Sequence, residues 1–327
     1  MKTTRALLVA LAIAAACSCA REAAIVPEGP DALLNAIPFP QGNDPWDEVF
    51  QQIDQQHGVK IYYKNFTDAD WSRSWTNAAG APLAGERFET PEELAAAAAY
   101  VKQYIFDFLD PTLLRGVFRP RVYLVKNMHL ANIPQALSIG MDCWIFSPPL
   151  TNATDYSTGV YASKLAILSA ILHRAYAGGN IALPPAFFEG VDYATPTDGY
   201  SRAASNNNWP NLWSRRGFLS DLGDAGLPFF PDYYPTLNVS PADFQAHPDL
   251  EFRAFVNYIL ILRDRDRYFA DGARFEQCTL LRRRFQILEE HLKTAYGIDL
   301  LAYQSMAFDG YSGAEWDDAR CVPVIPR

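Results

Sequence analysis

A single histidine, His173, lies in the apolar stretch AILSAILHRAYAGG, residues 166–179. Helical zinc hydrolases carry the pattern HExxH, in which both histidines bind the metal and the glutamate deprotonates zinc-bound water. Here Ser169 stands where the first histidine would be, and Ala170 where the glutamate would be. Ser169 and His173 share one side of a helix and can hydrogen-bond to each other. One imidazole without a neighbouring carboxylate predicts a buried or cleft-lining histidine, with no catalytic residue and no metal ligand here.

Other side chains with metal-binding chemistry occur downstream of this helix. They are Glu189, Asp192, His247, Asp249 and Glu251. A rebuilt, atypical zinc site made from these residues is the alternative to a chain without any cofactor. Asp264 and Asp266, inside RDRDR, fit an alternating-charge surface better than a metal site.

Tryptophans in polar surroundings suggest a second kind of site. Trp71 and Trp75 lie in DWSRSW, and Trp209 and Trp213 lie in NNNWPNLW. Indole rings beside Asn and Asp suit stacking on a sugar or a peptide, although they can also plug the core beneath long loops. The predicted ligand-binding residues are His173, Ser169, Glu189, Trp209 and Trp213.

Several other functional classes lack their sequence signals. The chain has no GxSxG elbow, no Walker loop, no GxGxxG after a strand and no EF-hand loop. It carries 28 basic and 37 acidic residues, a net charge of −9. Nucleic-acid-binding proteins neutralise phosphates with an excess of Lys and Arg, which this chain does not have. The composition therefore argues against nucleic acid as a partner.

The first residues predict export and a lipid anchor. Residues 1–18 combine Lys2 and Arg5 with a short apolar run, which is typical of a signal peptide. Cys19 or Cys17 follows small residues as in a bacterial lipobox, so either is a candidate for lipidation. Residues 19–45, rich in Pro, Ala and Gly, would then form a flexible tether. Residues 46–327 are predicted to form a single domain without a second membrane-spanning stretch.

Hydrophobic periodicity predicts strands first and mainly helices later. Helices are expected near residues 46–58, 91–109, 161–178, 251–263 and 275–296, and strands at 59–66, 122–127 and 136–147. Thr90 and Glu93 form a capping box at the start of the second helix, and Gly297 ends the last one. This order predicts an α+β domain. Of Cys143, Cys278 and Cys321, one pair is free to form a disulfide, but the sequence does not choose it.

The order of these elements resembles the substrate-import-associated zinc metallohydrolase lipoproteins, which accompany TonB-dependent outer-membrane importers. The resemblance covers about residues 46–305 and rests on the pattern of elements. Besides the lipobox and the central helix, it is carried by WDEVFQQIDQQHGVKIYYKNF, RVYLVKN, LPPAFFEGVDYA, RRGFLSD, LEFRAFVNYILIL and RFQILEEHLKTAYGIDL. It implies a zincin-like fold with a small mixed sheet, a buried central helix and a helical C-terminal part.

The chain departs from this family at the metal site. Family members carry HExxH followed shortly by another histidine, and His173 can match either the second or the later one. The first alignment puts Ser169 and Ala170 at the decisive positions, and the second puts Ala166, Ile167 and Ala170 there. Neither alignment leaves a carboxylate to activate water.

The resemblance and the departure together imply a non-catalytic accessory of nutrient capture and import. Such a protein would be lipid-anchored in the outer membrane of the cell envelope, at its periplasmic face or its surface. Its partners would be a glycan or peptide ligand and a TonB-dependent importer complex. The alternatives are an active metallohydrolase with an atypical zinc site, and a purely structural subunit of the importer.

Overall fold

The computed structural model describes residues 37–67, 70, 83–130, 133–140, 142–148, 158–194, 213–219, 241–261, 266, 269–270, 276–307, 315–317 and 322–324. The chain divides into two units, Met1–Pro38 and Phe39–Arg327, and every element below belongs to the second. Within the described ranges, no helix has the length and apolar character needed to cross a bilayer.

Strands in the described part of the chain form three small sheets. They are β1 (Lys60–Tyr62), β2 (Leu83–Glu86), β3 (Arg121–Leu124), β4 (Lys126–Leu130), β5 (Ile133–Pro134), β6 (Leu137–Ile139), β7 (Cys143–Phe146), β8 (Glu315–Asp317) and β9 (Val322–Val324). The largest sheet has the order β1-β3-β7-β6, with β1, β3 and β7 parallel and β6 antiparallel to β7. β2, β4 and β5 form an antiparallel sheet, and β8 pairs with β9. The predicted small mixed sheet is therefore present.

Most of the helical structure follows β7. The α-helices in these ranges are α1 (Pro45–His57), α2 (Pro91–Val101), α3 (Pro111–Leu114), α4 (Thr158–Ala177), α5 (Pro241–Ala246), α6 (Pro248–Ile261), α7 (Thr279–Tyr296) and α8 (Leu300–Ala307). Short 3-10 turns occur at Pro185–Phe187 and Trp213–Arg216. The protein thus mixes helices with small sheets, in agreement with the predicted class.

Helix α2 begins as its sequence predicts. Thr90 Oγ1 accepts the Glu93 N–H at 3.2 Å, and Glu93 Oε2 accepts the Thr90 N–H at 3.3 Å, so the capping box is complete. The predicted continuation to about residue 109 is only partly right. The α-helix ends at Val101 and runs on as a wider π turn, Lys102–Phe106.

The strand predicted at residues 136–147 is wrong as a single element. The structure folds it into a hairpin in which β6 and β7 run antiparallel, with Leu137 opposite Phe146. Gly140 donates its N–H to the Cys143 carbonyl at 2.9 Å and closes the turn. Gly140 and Asp142 are turn-forming residue types, so the reversal had a sequence signal in the middle of the apolar run.

Helix α4 lies in the core, as its lack of a polar face predicts. Its residues that are at most 1% exposed include Leu165, Ile167, Leu168, Ile171 and Leu172. Burial of each such side chain contributes about 1.5–3 kcal/mol. Helix α6 packs against α4, and the Tyr176 ring stacks on Phe252 with centroids 4.7 Å apart. The side chains described below meet along this interface.

The two late helices are confirmed with shifted boundaries. Helix α6 spans Pro248–Ile261, where residues 251–263 were expected, and α7 begins at Thr279 rather than near residue 275. Helix α7 ends as predicted at Gly297, whose φ of 70° is left-handed and favours glycine.

Candidate functional site

His173 is held between two side chains of α6. Its Nε2 lies 2.9 Å from Asp249 Oδ2, and its side chain is 18% exposed. Its other nitrogen, Nδ1, lies 3.4 Å from Arg253 Nη1. Arginine has only donors and ionised aspartate only acceptors. The imidazole is therefore neutral, with Nε2–H donating to Asp249 and Nδ1 accepting from Arg253.

Local electrostatics favours the same neutral form. Burial lowers the pKa of His173, the positive charge of Arg253 lowers it further, and the hydrogen bond to Asp249 opposes both. Asp249 lies in the first turn of α6, where a carboxylate interacts favourably with the positive end of the helix dipole.

The polar side chains at this interface follow the helical repeat. Asp249, Arg253 and Asn257 are four residues apart on α6, and they meet Ser169 and His173, four residues apart on α4. Ser169 contacts the later residue of α6 and His173 the earlier ones, so the two helices run antiparallel. Polar residues at i, i+4 and i+8 on a largely apolar helix are a signal that sequence reasoning missed for Arg253 and Asn257.

Ser169 does not hydrogen-bond to His173, contrary to the possibility raised from their spacing. It donates instead to Asn257 Oδ1 at 2.5 Å, and both residues are at most 1% exposed. Because the His173 nitrogens face Asp249 and Arg253, the imidazole is not placed to take a proton from the serine. Ser169 is therefore a core hydrogen-bonding residue and not an activated nucleophile.

A second polar cluster surrounds Glu251, two residues after Asp249. Arg284 Nη1 lies 2.8 Å from Glu251 Oε1, and the two side chains are 0% and 2% exposed. Tyr193 donates to Glu251 Oε2 at 2.7 Å. Arg284 also donates to the carbonyls of Phe187 and Gly217 at 3.0 and 2.6 Å. This cluster ties α6 and α7 to the two 3-10 turns, and its polar groups are satisfied within the protein.

Arg284 and Tyr193 were not among the predicted site residues. Arg284 falls between Leu281 and Leu288 on the buried side of α7, which is a readable sequence signal. Burial raises the pKa of Tyr193, so its hydroxyl stays protonated as a donor to Glu251.

The residues proposed for a rebuilt zinc site do not converge. Glu189 is exposed and pairs with Arg283 at 2.6 Å. Asp192 is also exposed and accepts the N–H of Ala194. His247 is exposed, Asp249 is bound to His173, and Glu251 is bound to Arg284.

The described residues do not fit a zinc centre. No group of three or more His, Cys, Asp and Glu side chains placed to hold a metal ion occurs among them. Catalytic zinc needs about three protein ligands with free lone pairs. His173 and Asp249 supply two candidate groups, and both nitrogens of the imidazole already have partners.

Several predicted residues fall outside the described ranges. Trp71, Trp75, Trp209, Cys17, Cys19 and Cys321 are in this group. Trp213 opens the 3-10 turn Trp213–Arg216, but its side chain is not described. Cys143 and Cys278 are both buried, and the disulfide pairing stays open.

Comparisons with known proteins give one structural likeness. No family model matches the chain, and no curated protein is similar to it in sequence. Among solved structures the chain is similar to a protein from Bacteroides caccae with the proposed identity of a zinc-binding metallo-peptidase. The match covers 81% of this chain and 92% of that chain, with 9% sequence identity and a TM-score of 0.45. Likeness at this level carries no information about the chemistry of the His173 site.

Proposed function

We propose that this protein is a non-catalytic, lipid-anchored accessory of nutrient capture at the cell envelope, with a zincin-like domain that has lost its metal. The observation that carries the proposal is the pairing of both His173 nitrogens, one with Asp249 and the other with Arg253. The lipobox-like cysteines Cys19 and Cys17 support the anchor.

The pairing matters because a histidine binds zinc through a nitrogen lone pair. On His173 the Nε2 position carries a proton bonded to Asp249, and the Nδ1 lone pair accepts from Arg253. Zinc binding would require loss of the Arg253 contact and would bring a dication beside a guanidinium that is 7% exposed at the residue level. Like charges in a poorly hydrated site repel strongly, so the arrangement opposes a metal ion.

The same side chains suit recognition of a neutral polar ligand. The His173 and Asp249 side chains are 18% and 31% exposed, so a ligand can reach a ring edge and a carboxylate oxygen from solvent. A glycan hydroxyl or a peptide amide can donate to the free oxygen lone pairs of Asp249. We therefore favour a glycan or peptide, presented to a TonB-dependent importer, as the class of ligand.

Elemental analysis of the purified full-length protein tests the loss of the metal. The expected result is zinc well below one ion per chain, unchanged in His173→Ala and in the control His247→Ala, which alters an exposed histidine. One zinc per chain that disappears only in His173→Ala would overturn the proposal. In that case the alternative, an active metallohydrolase, predicts cleavage of a peptide or glycoconjugate that a chelator stops.

Binding tests the recognition role independently of zinc. The wild-type protein, applied to an array of glycans and peptides, should bind some of them. Their affinity for Asp249→Asn should be lower by at least several-fold. The control Asp266→Asn changes an exposed carboxylate and should bind as wild type. Retention that is equal in both variants would remove His173 and Asp249 from the ligand site.

A further inference from the structure

The main sheet buries a second face that differs from the core. Side chains alternate along each strand, so Ile61, Val122 and Trp144 point to the helical core in which they cluster. Their neighbours Tyr62, Arg121 and Tyr123 point the other way, and Lys60–Tyr62 pairs in register with Arg121–Tyr123. This opposite face is also enclosed, because Tyr62 and Tyr123 are 0% exposed and Arg121 is 4% exposed.

Arg121 on this face is a buried guanidinium without a carboxylate partner in the described residues. Its Nη1 donates to Tyr123 Oη at 3.4 Å. Within the part of the chain that the structure describes, its Nε and Nη2 have no hydrogen-bond partner, and neither does the buried hydroxyl of Tyr62. Asp70, whose charge acts on Tyr123, accepts instead from the N–H and hydroxyl of Thr67 at 2.7 and 2.9 Å.

An enclosed positive charge of this kind is unstable by itself. Removing a guanidinium from water costs several kcal/mol unless an anion and hydrogen bonds compensate it. The two tyrosines do not supply that charge, because burial raises the pKa of Tyr62 and raises the pKa of Tyr123 to about 12. The buried charge of Arg121 therefore calls for an anionic partner that the described residues do not supply.

We propose that Arg121 and Tyr62 form a buried binding site for the carboxylate of a small organic acid. The two unpartnered nitrogens, Nε and Nη2, lie on the same edge of the planar guanidinium, and this edge forms the two parallel hydrogen bonds of a bidentate carboxylate. The Tyr62 hydroxyl adds a third unpartnered donor. A spherical ion has no pair of oxygens to accept the two parallel hydrogen bonds from Nε and Nη2.

The surroundings set the size and character of the ligand. Phe39 packs edge-on against Tyr62 with centroids 5.8 Å apart, and Phe66 packs against Tyr123 at 4.8 Å. The guanidinium carbon of Arg87 lies over the Phe66 ring, 4.1 Å from its centroid. These rings offer apolar contact to a short hydrocarbon group attached to the carboxylate. The enclosure favours a small acid over a carboxylate carried on a polypeptide.

Acetate is the probe that tests this site on the full-length protein. Thermal unfolding is followed with increasing sodium acetate at constant ionic strength, against sodium chloride and against acetamide, the neutral amide of similar shape. Acetate is expected to raise the melting temperature and to saturate, because it binds the folded state only. In a saturation-transfer NMR experiment, irradiation of protein resonances should also reduce the intensity of the acetate methyl signal. Chloride, acetamide and N-acetyl-glycylglycine should have no such effect.

Variants connect the response to the two donors. Arg121→Met should abolish the acetate response and should melt no lower than wild type without acetate, since it removes an uncompensated charge. Tyr62→Phe, which keeps the ring packing, should raise the half-saturating acetate concentration about 2- to 10-fold. Arg119→Met, at an exposed position, should respond as wild type.

Four outcomes of these titrations would contradict the proposed carboxylate site. A wild-type response to acetate no larger than to chloride overturns the site, as does a response that persists in Arg121→Met. If Arg121→Met does not fold, the wild-type titration and Tyr62→Phe decide, and an unchanged Tyr62→Phe titration counts against the assignment. A response to N-acetyl-glycylglycine equal to that of acetate overturns the small-acid assignment.

Discussion

His173 Nε2 and Asp249 Oδ2 lie 2.9 Å apart although the two residues are separated by 76 positions in the chain. The contact exists because α4 and α6 pack antiparallel, with Arg253 occupying the other imidazole nitrogen. His173 therefore hydrogen-bonds with two residues of α6 at once. These contacts of His173, and those of the Glu251 cluster, should affect the free energy of unfolding.

The free energy of unfolding should fall as the pH drops through the titration of His173. Burial, then Arg253, lowers the pKa of His173 in the folded protein below its usual 6.5. The unfolded chain then binds more protons than the folded chain below about pH 6.5, so the stability present at neutral pH is lost as the solution is acidified. Urea unfolding between about pH 8 and about pH 5 measures this slope.

His173→Gln should flatten that slope without removing it entirely. Burial also lowers the pKa of His57, so this residue contributes in the same direction, and the double variant with His57→Gln should be flatter still. His247→Gln, at an exposed position, is the control and should keep the wild-type slope. An unchanged slope in both His173 variants would contradict the neutral, doubly bonded imidazole.

Glu251→Gln should be severely destabilising. The substitution keeps the shape of the side chain but leaves the fully buried Arg284 charge uncompensated, which costs about 3–5 kcal/mol. Glu189→Gln is the matched control, because its pair with Arg283 has side chains 62% and 49% exposed and should contribute less than about 1 kcal/mol. Denaturant unfolding of both variants gives the comparison, and equal losses would show that burial of the pair is unimportant.

Ser169→Ala should destabilise the protein by about 1–3 kcal/mol. It removes the donor to Asn257 Oδ1 and leaves a buried acceptor without a hydrogen bond. Asn257→Leu in the same chain should recover part of this loss, because no polar group then remains at the contact. Ser305→Ala, on the exposed side of α8, should change stability by no more than about 0.5 kcal/mol. Strictly additive effects of the two core substitutions would argue against the contact.

Thr90→Ala should weaken the start of α2 by about 1 kcal/mol. The hydroxyl accepts the Glu93 N–H, and alanine leaves that donor to water. Thr294→Ala, whose hydroxyl bonds within α7 to the Glu290 carbonyl, is a control inside a helix and should cost less. Urea unfolding monitored by far-ultraviolet circular dichroism distinguishes the two, and an identical stability of Thr90→Ala and wild type would contradict the capping box.

Local signals in the sequence accounted for much of the secondary structure. The capping box at Thr90 and Glu93, the end of α7 at Gly297 and the burial of α4 all depend on residues close together in the chain. The prediction was wrong where turn-forming residues interrupt an apolar run. The apolar run around Gly140 predicts one strand, although its turn residues fold it into the β6–β7 hairpin.

The candidate site was predictable only in part. The sequence singled out His173, Ser169 and Asp249 by residue type, but it did not show that Ser169 bonds to Asn257 or that Arg253 faces the imidazole. Glu251 and Asp249 both belong to the downstream residues from which the sequence predicts an alternative metal site. Their side chains make separate clusters, because positions two apart on a helix face different directions.

Local sequence patterns predict five of the α-helices, the helix ends at Thr90 and Gly297, the apolar character of α4 and the lack of an HExxH pattern, since each is encoded within a few residues. Contacts between side chains that are distant in the chain follow from the fold. Asp249 reaches His173, Arg284 reaches Glu251, and Arg121 stays without a carboxylate partner in the described residues. The physical reason is that hydrogen bonds and ion pairs act over a few ångströms, whereas their partners are brought together by helix packing and strand register across long stretches of chain.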